Sequence, residues 1–205
     1  MSKHFAKCPQ RQEQIAAAEQ SARKPEDLIH LRVQDAYARQ FWLDLEVRAS
    51  AKLKDVDAYL RAIWLECCGH LSEFTTGSWP GQEIAMSKRV AMFDEDGVQL
   101  LHIYDFGTSS ETLITRMGGR RGIPLTKHPM QLMARNIMPK AECIECGQPA
   151  SHLCMECLIE EQIEGTLCDQ HAETHPHEDY GELIPLVNSP RVGMCGYFGP
   201  ADPPY

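Results

Sequence analysis

The chain has 205 residues, 43% of them hydrophobic and 24% charged, with a formal net charge of −9. That composition matches ordinary globular proteins and excludes wholesale disorder. No apolar run approaches the ~20 residues needed to cross a bilayer, and residues 1–20 lack the apolar centre of a secretory signal, so the expectation is a soluble, cytoplasmic protein.

Residues 9–24 are rich in Gln, Glu, Ala and Arg and predict a helix that stops at Pro25. Its single large apolar residue is Ile15, so residues 1–37 read as a weakly anchored helical extension. Phe41, Leu43, Leu45 and Val47 alternate with Trp42, Asp44, Glu46 and Arg48, the period of a strand with one buried face. Over 55–67, Val56, Leu60, Ile63 and Cys67 recur at helical spacing, and Gly69 supplies a stop. A short strand follows at 71–75, then the turn Thr76-Gly77-Ser78-Trp79-Pro80-Gly81.

Asp94-Glu95-Asp96-Gly97 reads as a turn, without the further loop ligands that calcium requires. Residues 98–105 and 111–117 predict two strands, Gly118-Gly119-Arg120-Arg121-Gly122 a loop, and 130–136 a last strand or short helix. Strands outnumber helices and no βαβ rhythm appears. The fold class expected is therefore α+β, a mainly antiparallel sheet with packed helices, followed by a small zinc-stabilised module. The divisions are a helical extension at 1–37, an α+β domain at 38–139, a zinc-binding module with a Pro/Gly-rich return segment at 140–199, and a mobile terminus at 200–205.

Charge and cysteine content mark the boundary near Pro139. Residues 1–140 carry 19 basic and 17 acidic side chains, whereas residues 141–205 carry one basic residue, Arg191, against 12 acidic ones. Six of the nine cysteines (143, 146, 154, 157, 168 and 195) lie in that acidic third. A reducing cytoplasm disfavours a disulfide framework, and clustered pairs read as metal ligands.

The ligand candidates are Cys143-x2-Cys146, Cys154-x2-Cys157, Cys168-x2-His171, then His175 and His177. A C-x2-C turn lets two thiolates converge on one ion, and two such pairs complete a tetrahedral zinc site. Eight candidates suffice for two zinc ions, structural because four protein ligands leave no open position. Buried free cysteines would be the alternative. The segment, however, has few large apolar residues (Leu153, Leu158, Ile159, Ile163 and Leu167 among them), and a structural ion supplies on the order of 10 kcal/mol of folding free energy.

The spacing of 143–177 resembles the B-box and other cross-brace zinc modules, in which alternate pairs share an ion. The resemblance implies one site of Cys143, Cys146, Cys168 and His171 and another of Cys154, Cys157, His175 and His177. A sequential arrangement would instead place the four cysteines of the two C-x2-C pairs on one ion. His175 and His177 flank Pro176, and alternate side chains of an extended segment diverge, which leaves His152 or Asp169 as a substitute ligand. Cys8, Cys67, Cys68 and Cys195 fall outside the paired spacing, with Cys67 expected on a buried helix face.

Cys68-Gly69-His70-Leu71-Ser72-Glu73-Phe74 after a helix, and Ile103-Tyr104-Asp105-Phe106-Gly107 followed by Glu111-Thr112-Leu113-Ile114, resemble the plasmid pRiA ORF-three-like family, also known as a passenger-protein family of insertion elements. With the segment Val187 to Tyr197, the likeness spans residues 38–199. It implies an α+β fold and a mobile-element setting, and no reaction. The aromatic and histidine usual after Asp-Phe-Gly are replaced here by Thr108-Ser109-Ser110-Glu111-Thr112. Tyr104 to Gly107 themselves read as a hairpin turn, since the motifs surrounding the similar kinase triplet are absent.

Arg116, Arg120, Arg121, Lys127, Arg135 and Lys140 form a basic stretch with no acid between Glu111 and Glu142. They are candidate phosphate contacts, or a solvated loop partnered by the acidic module beside it. No nucleophile–base–orienter set can be assembled. The first reading is therefore a non-enzymatic adaptor whose zinc module contacts another protein, its acidity opposing nucleic acid. The second is a nucleic-acid-binding accessory protein using residues 116–140.

Overall fold

The computed structural model describes residues 2–5, 7–177 and 179–205. The chain divides into two units. The first runs up to Leu60, resumes over Leu71–Asn136 and includes Tyr205; the second comprises Arg61–His70 and Ile137–Pro204.

The first unit is built on seven strands: β1 Glu26–Asp35, β2 Trp42–Arg48, β3 Ser72–Thr76, β4 Gln82–Ile84, β5 Gln99–Tyr104, β6 Ser110–Gly122 and β7 Met130–Arg135. They form one sheet in the order β4-β3-β5-β6-β1-β2-β7, and every pairing is antiparallel. Leu31 and Val33 of β1, Leu43, Leu45 and Val47 of β2, Phe74 of β3, Ile103 of β5 and Ile114 of β6 are fully buried. Each such side chain contributes ~1.5–3 kcal/mol on removal from water.

Two short helices, α1 Ser2–Phe5 and α2 Pro9–Glu19, precede the sheet. Helix α2 buries no residue and is tied down by Arg11, which donates to the carboxylate of Glu46. Helix α3 Leu53–Leu60 buries Leu53, Val56, Tyr59 and Leu60 on one stripe. The chain then passes into a π-helical turn, Arg61–Leu65, closed by the Glu66 N–H on the Arg61 carbonyl at 2.8 Å. The helix predicted over 55–67 is thus two elements.

Three expectations need correction here. Residues 26–35 are not part of a helical extension: β1 pairs with both β6 and β2, because Ile29, Leu31 and Val33 alternate with His30, Arg32 and Gln34. The glycine-rich segment 118–122 is not a loop but the end of β6. The register shifts between His30 and Leu31, leaving Met117 as the extra residue of a bulge, and Gly118 takes φ +147°. A Cβ on Gly119 would lie 2.7 Å from the Leu28 carbonyl oxygen. Nor is the C-terminus loose at its last residue: Tyr205 stacks on His128 at 4.0 Å and meets Tyr59 edge-on at 5.4 Å.

Strand β2 also departs from its expected single buried face, since Asp44 and Glu46 are buried as well. Asp44 accepts from His30 Nε2 at 2.8 Å and from Arg32 Nε and Nη2 at 2.9 and 2.7 Å. Such pairing allows carboxylates to leave water. Burial pushes the Asp44 carboxyl up, but the hydrogen bonds from His30 and Arg32 win and hold it below the usual value.

The second unit holds a small sheet of β8 His152–Leu153, β9 Thr166–Leu167 and β10 Ile184–Pro185 in the order β10-β8-β9. Helix α4 Asp169–Ala172 follows β9. Around this sheet the buried cluster is Cys143, Cys154, Cys157 and Leu167, with Cys168, Ala172 and Leu183 packed against it. Cysteine sulfur supplies much of the core. Trp64, Arg191 and Tyr197 are also buried in this unit.

Candidate metal centre

The eight candidate ligands of 143–177 come together as two groups of four: Cys143, Cys146, Cys168 and His171, and Cys154, Cys157, His175 and His177. Within each group the ligand atoms all lie within 4.8 Å of one another. Tetrahedral zinc with Zn–S near 2.3 Å and Zn–N near 2.05 Å sets edges of about 3.8 Å for S–S, 3.5 Å for S–N and 3.3 Å for N–N. In the first group Cys146 and Cys168 Sγ are 3.8 Å apart, and His171 Nδ1 is 3.4 Å from Cys143 Sγ and 3.3 Å from Cys168 Sγ. In the second, His177 Nδ1 lies 3.6 and 3.2 Å from Cys154 and Cys157 Sγ, and His175 Nε2 lies 3.3 Å from Cys157 Sγ and 3.2 Å from His177 Nδ1.

The local sequence positions these groups. Gly147, at φ +70°, turns the first C-x2-C pair so that its N–H reaches the Cys143 carbonyl at 2.8 Å. Cys154 follows β8, and its N–H bonds the Gly165 carbonyl at 2.8 Å, bringing the second pair against the start of β9. Cys168 precedes α4 and His171 lies within it, so one helical turn places both on the first site. His175 and His177 converge despite flanking Pro176, their rings edge to face at 4.6 Å. The two substitutes turn elsewhere: Asp169 accepts from Ser151 Oγ and lies 3.5 Å from His152 Nδ1.

A third group was outside the expected pattern. Cys67, Cys68, His70 and Cys195 also bring four ligand atoms within 4.8 Å. Cys67 is therefore not simply a buried helix-face residue, and Cys195 does not join His175 and His177. The overlooked signal was Cys67-Cys68-x-His70, too compact to form a C-x2-C pair and lacking its fourth member nearby. None of the nine cysteines is in a disulfide. Three Cys/His groups thus fit a metal ion.

The thiols of the two groups hold protons unequally. Burial raises Cys143, but backbone hydrogen bonds from Cys168, Glu145 and Cys146 outweigh it and bring the thiol down to about 6. Burial and the neighbouring Cys154 push Cys157 up to about 12.

Three of the six candidate phosphate contacts pair with carboxylates inside the first unit. Arg116 Nε donates to Asp96 at 3.0 Å, Arg120 to both oxygens of Glu46, and Arg121 Nη1 to Asp27 at 3.0 Å. Asp27 and Glu46 are carboxylates of β1 and β2, and Asp96 lies in the turn before β5. Lys127 and Lys140 are exposed and Arg135 is half-buried on β7.

Asp57 accepts from Ser72 Oγ at 2.7 Å and faces His102 Nε2 at 2.8 Å. The carboxylate stands between hydroxyl and imidazole, the wrong order for a histidine to activate a serine. Asp105, at φ +66°, accepts from the Gly107 and Thr108 N–H groups at 3.0 and 3.2 Å, forming the turn between β5 and β6. Among the described residues no helix is long and apolar enough to cross a membrane.

No family model matches the chain, and no curated protein matches it. Among solved structures, a protein of unknown function from Methanosarcina mazei Go1 is similar at 16% identity and a TM-score of 0.45, over 54% of this chain and 70% of that one.

Proposed function

We propose that this chain is a zinc-binding, non-enzymatic interaction protein whose metal-organised unit docks another protein. The observation that carries the reading is the pairing of alternate ligand pairs, Cys143/Cys146 with Cys168/His171 and Cys154/Cys157 with His175/His177, each a closed set of four. Cys3His and Cys2His2 donor sets suit zinc, and closed sets suit a structural ion. Thiolate sites and free cysteines also suit a reducing compartment, so we place the protein in the cytoplasm.

Beside the second site, the turn Cys157–Glu161 and the residues after it expose Leu158, Ile159 and Ile163 at 37%, 47% and 43%, set among the exposed Glu160, Glu161 and Glu164. Apolar anchors with an acidic rim fit a protein partner bearing an apolar pocket and a basic border. The nucleic-acid reading has less support, because Arg116, Arg120 and Arg121 already hold carboxylates. The resemblance of residues 38–199 to the plasmid pRiA ORF-three-like family makes a mobile-element setting part of this proposal.

The test is elemental analysis of the purified protein, followed by partner capture with wild type and Ile159→Asp. Bound zinc, with a partner retained by wild type and lost by the variant at equal zinc content, is expected. Zinc-free protein, or duplex binding that falls steeply with salt, would overturn the reading.

A further inference from the structure

We propose that Cys67, Cys68, His70 and Cys195 hold a further zinc ion, a clasp closing the return segment of the second unit onto Arg61–His70, with the buried Arg191 as counter-cation to the anionic centre. The ligand spacing is that of the other two groups. Cys67 and Cys68 Sγ are 3.6 Å apart, Cys68 and Cys195 Sγ are 3.6 Å apart, and Cys195 Sγ lies 3.5 Å from His70 Nε2. These match the edges of about 3.8 and 3.5 Å expected around tetrahedral zinc. The Cys68 Sγ–His70 Nε2 edge is shorter, at 2.9 Å. Three sulfurs and one imidazole are a soft donor set that selects zinc over the hard divalent cations.

Arg191 supplies a second, independent observation. It is the single basic residue of 141–205, yet its relative exposure is 0%. Its backbone N–H donates to Ser189 Oγ at 2.9 Å, and Ser189 Oγ donates to the Trp64 carbonyl at 2.7 Å, which fixes the segment. From there Nη2 donates to Cys67 Sγ at 3.5 Å. A guanidinium taken out of water is stabilised by an anionic neighbour. Zinc with three thiolates and a neutral imidazole carries a net single negative charge, which a guanidinium hydrogen-bonded to a ligand sulfur offsets.

Competing uses of the same side chains fit less well. A disulfide needs sulfurs at about 2.05 Å and joins only two of the three thiols. It also leaves His70 without a role. A Cys–His nucleophile uses one sulfur and leaves the other two thiols, each 3.6 Å from Cys68 Sγ, without a role. The Cys195 backbone takes φ +52°, an uncommon left-handed conformation for a non-glycine residue. Cys68 and Cys195 are exposed and Cys67 and His70 half-buried, whereas each of the other two groups contains a buried cysteine, Cys143 in one and Cys154 and Cys157 in the other. This ion therefore exchanges before the other two.

Native mass spectrometry of the zinc-loaded full chain tests the assignment. Wild type should carry three zinc ions, Cys68→Ser and Cys195→Ser two each, and Cys8→Ser three. Limited chelator should strip one ion quickly from wild type and none quickly from Cys195→Ser. Two ions in both wild type and Cys195→Ser would overturn the clasp and leave the paired sites standing; zinc-free wild type would overturn both. Alkylation of the unmutated protein gives a second measure that does not depend on a variant folding. Zinc should shield Cys67, Cys68 and Cys195 relative to Cys8, and labelling of Cys195 as fast as Cys8 would also overturn the clasp.

Discussion

Arg120 holds Glu46 in a two-point grip, Nε donating to Oε2 and Nη2 to Oε1, each at 2.8 Å. Glu46 is only 6% exposed, so this guanidinium neutralises a carboxylate inside the sheet and is not a free phosphate ligand. Arg120→Ala should lower stability by about 1.5–3 kcal/mol, the usual loss for a buried hydrogen bond to a charged group. Arg120→Lys should restore only part, because a point charge cannot reproduce the planar fork. Urea midpoints measure the first effect. Binding to random duplex at low salt should be unchanged; a large drop would return the arginine to a nucleic-acid role.

Asp44 makes stability depend on acid in a defined direction. Its folded pKa lies below the ordinary value of 3.8, so its ionised form is favoured by folding. The stabilisation is fully present above an unfolded pKa of about 3.9 and is lost as pH falls through the lower, folded value. Asp44→Asn should therefore be less stable than wild type at pH 6, with the gap shrinking below pH 4. Comparing the two proteins at each pH cancels acid effects at the metal groups. Trp42, whose ring lies 4.4 Å from the Arg32 guanidinium carbon, is the local fluorescence reporter. A gap that stays constant down to pH 2.5 would show that this carboxylate gains nothing from His30 and Arg32.

What could be read from residue order depended on how local the signal was. The alternation of Leu43, Leu45 and Val47 in β2 and the spacing of Cys143 to His177 are visible within a few residues, and so are the elements they specify. Strand β1 carried the same period in Ile29, Leu31 and Val33, but its polar face of His30, Arg32 and Gln34, set after a helical segment, drew it into the extension. The Gly118-Gly119 pair looks like a loop because a bulge uses the same residue type. The group of Cys67, Cys68, His70 and Cys195 was illegible for another reason: 125 residues separate His70 from Cys195, and only the folded chain joins them.

Gly165 and Gly147 allow the cost of backbone strain at the knuckles to be separated from steric cost. Both have positive φ, at +62° and +70°. A Cβ on Gly165 would meet the Cys154 carbonyl oxygen at 2.7 Å and Cys157 Cβ at 2.9 Å, whereas a Cβ on Gly147 meets nothing within 4 Å. Gly147→Ala should cost about 1–2 kcal/mol, from the left-handed backbone alone. Gly165→Ala should cost more and weaken zinc at the second group specifically, since both atoms in the way belong to its ligand residues. Competition with a chromogenic chelator checks this ordering. Equal losses for the two variants would mean that the knuckle around Gly165 shifts freely.

Chelation should separate the two units. The first has an extensive apolar core with Leu31, Leu43, Leu45 and Ile103, whereas the buried cluster around Leu167 consists otherwise of Cys143, Cys154 and Cys157. A structural zinc ion supplies about 10 kcal/mol or more, several times the ~2 kcal/mol of one buried leucine. Removing the ions therefore removes most of what orders 140–177. Trp64 is fully buried in the second unit, and the chain's other tryptophans, Trp42 and Trp79, lie in the first. In a Trp42→Phe, Trp79→Phe background, chelator should shift Trp64 emission to the red while far-ultraviolet circular dichroism retains the sheet signal. In a Trp64→Phe background, the same chelator should leave emission unchanged. Cys146→Ser should give a milder form of this result: one ion fewer, and proteolysis beginning within residues 141–180. Loss of the sheet signal in step with Trp64 would show that one cooperative core spans both units.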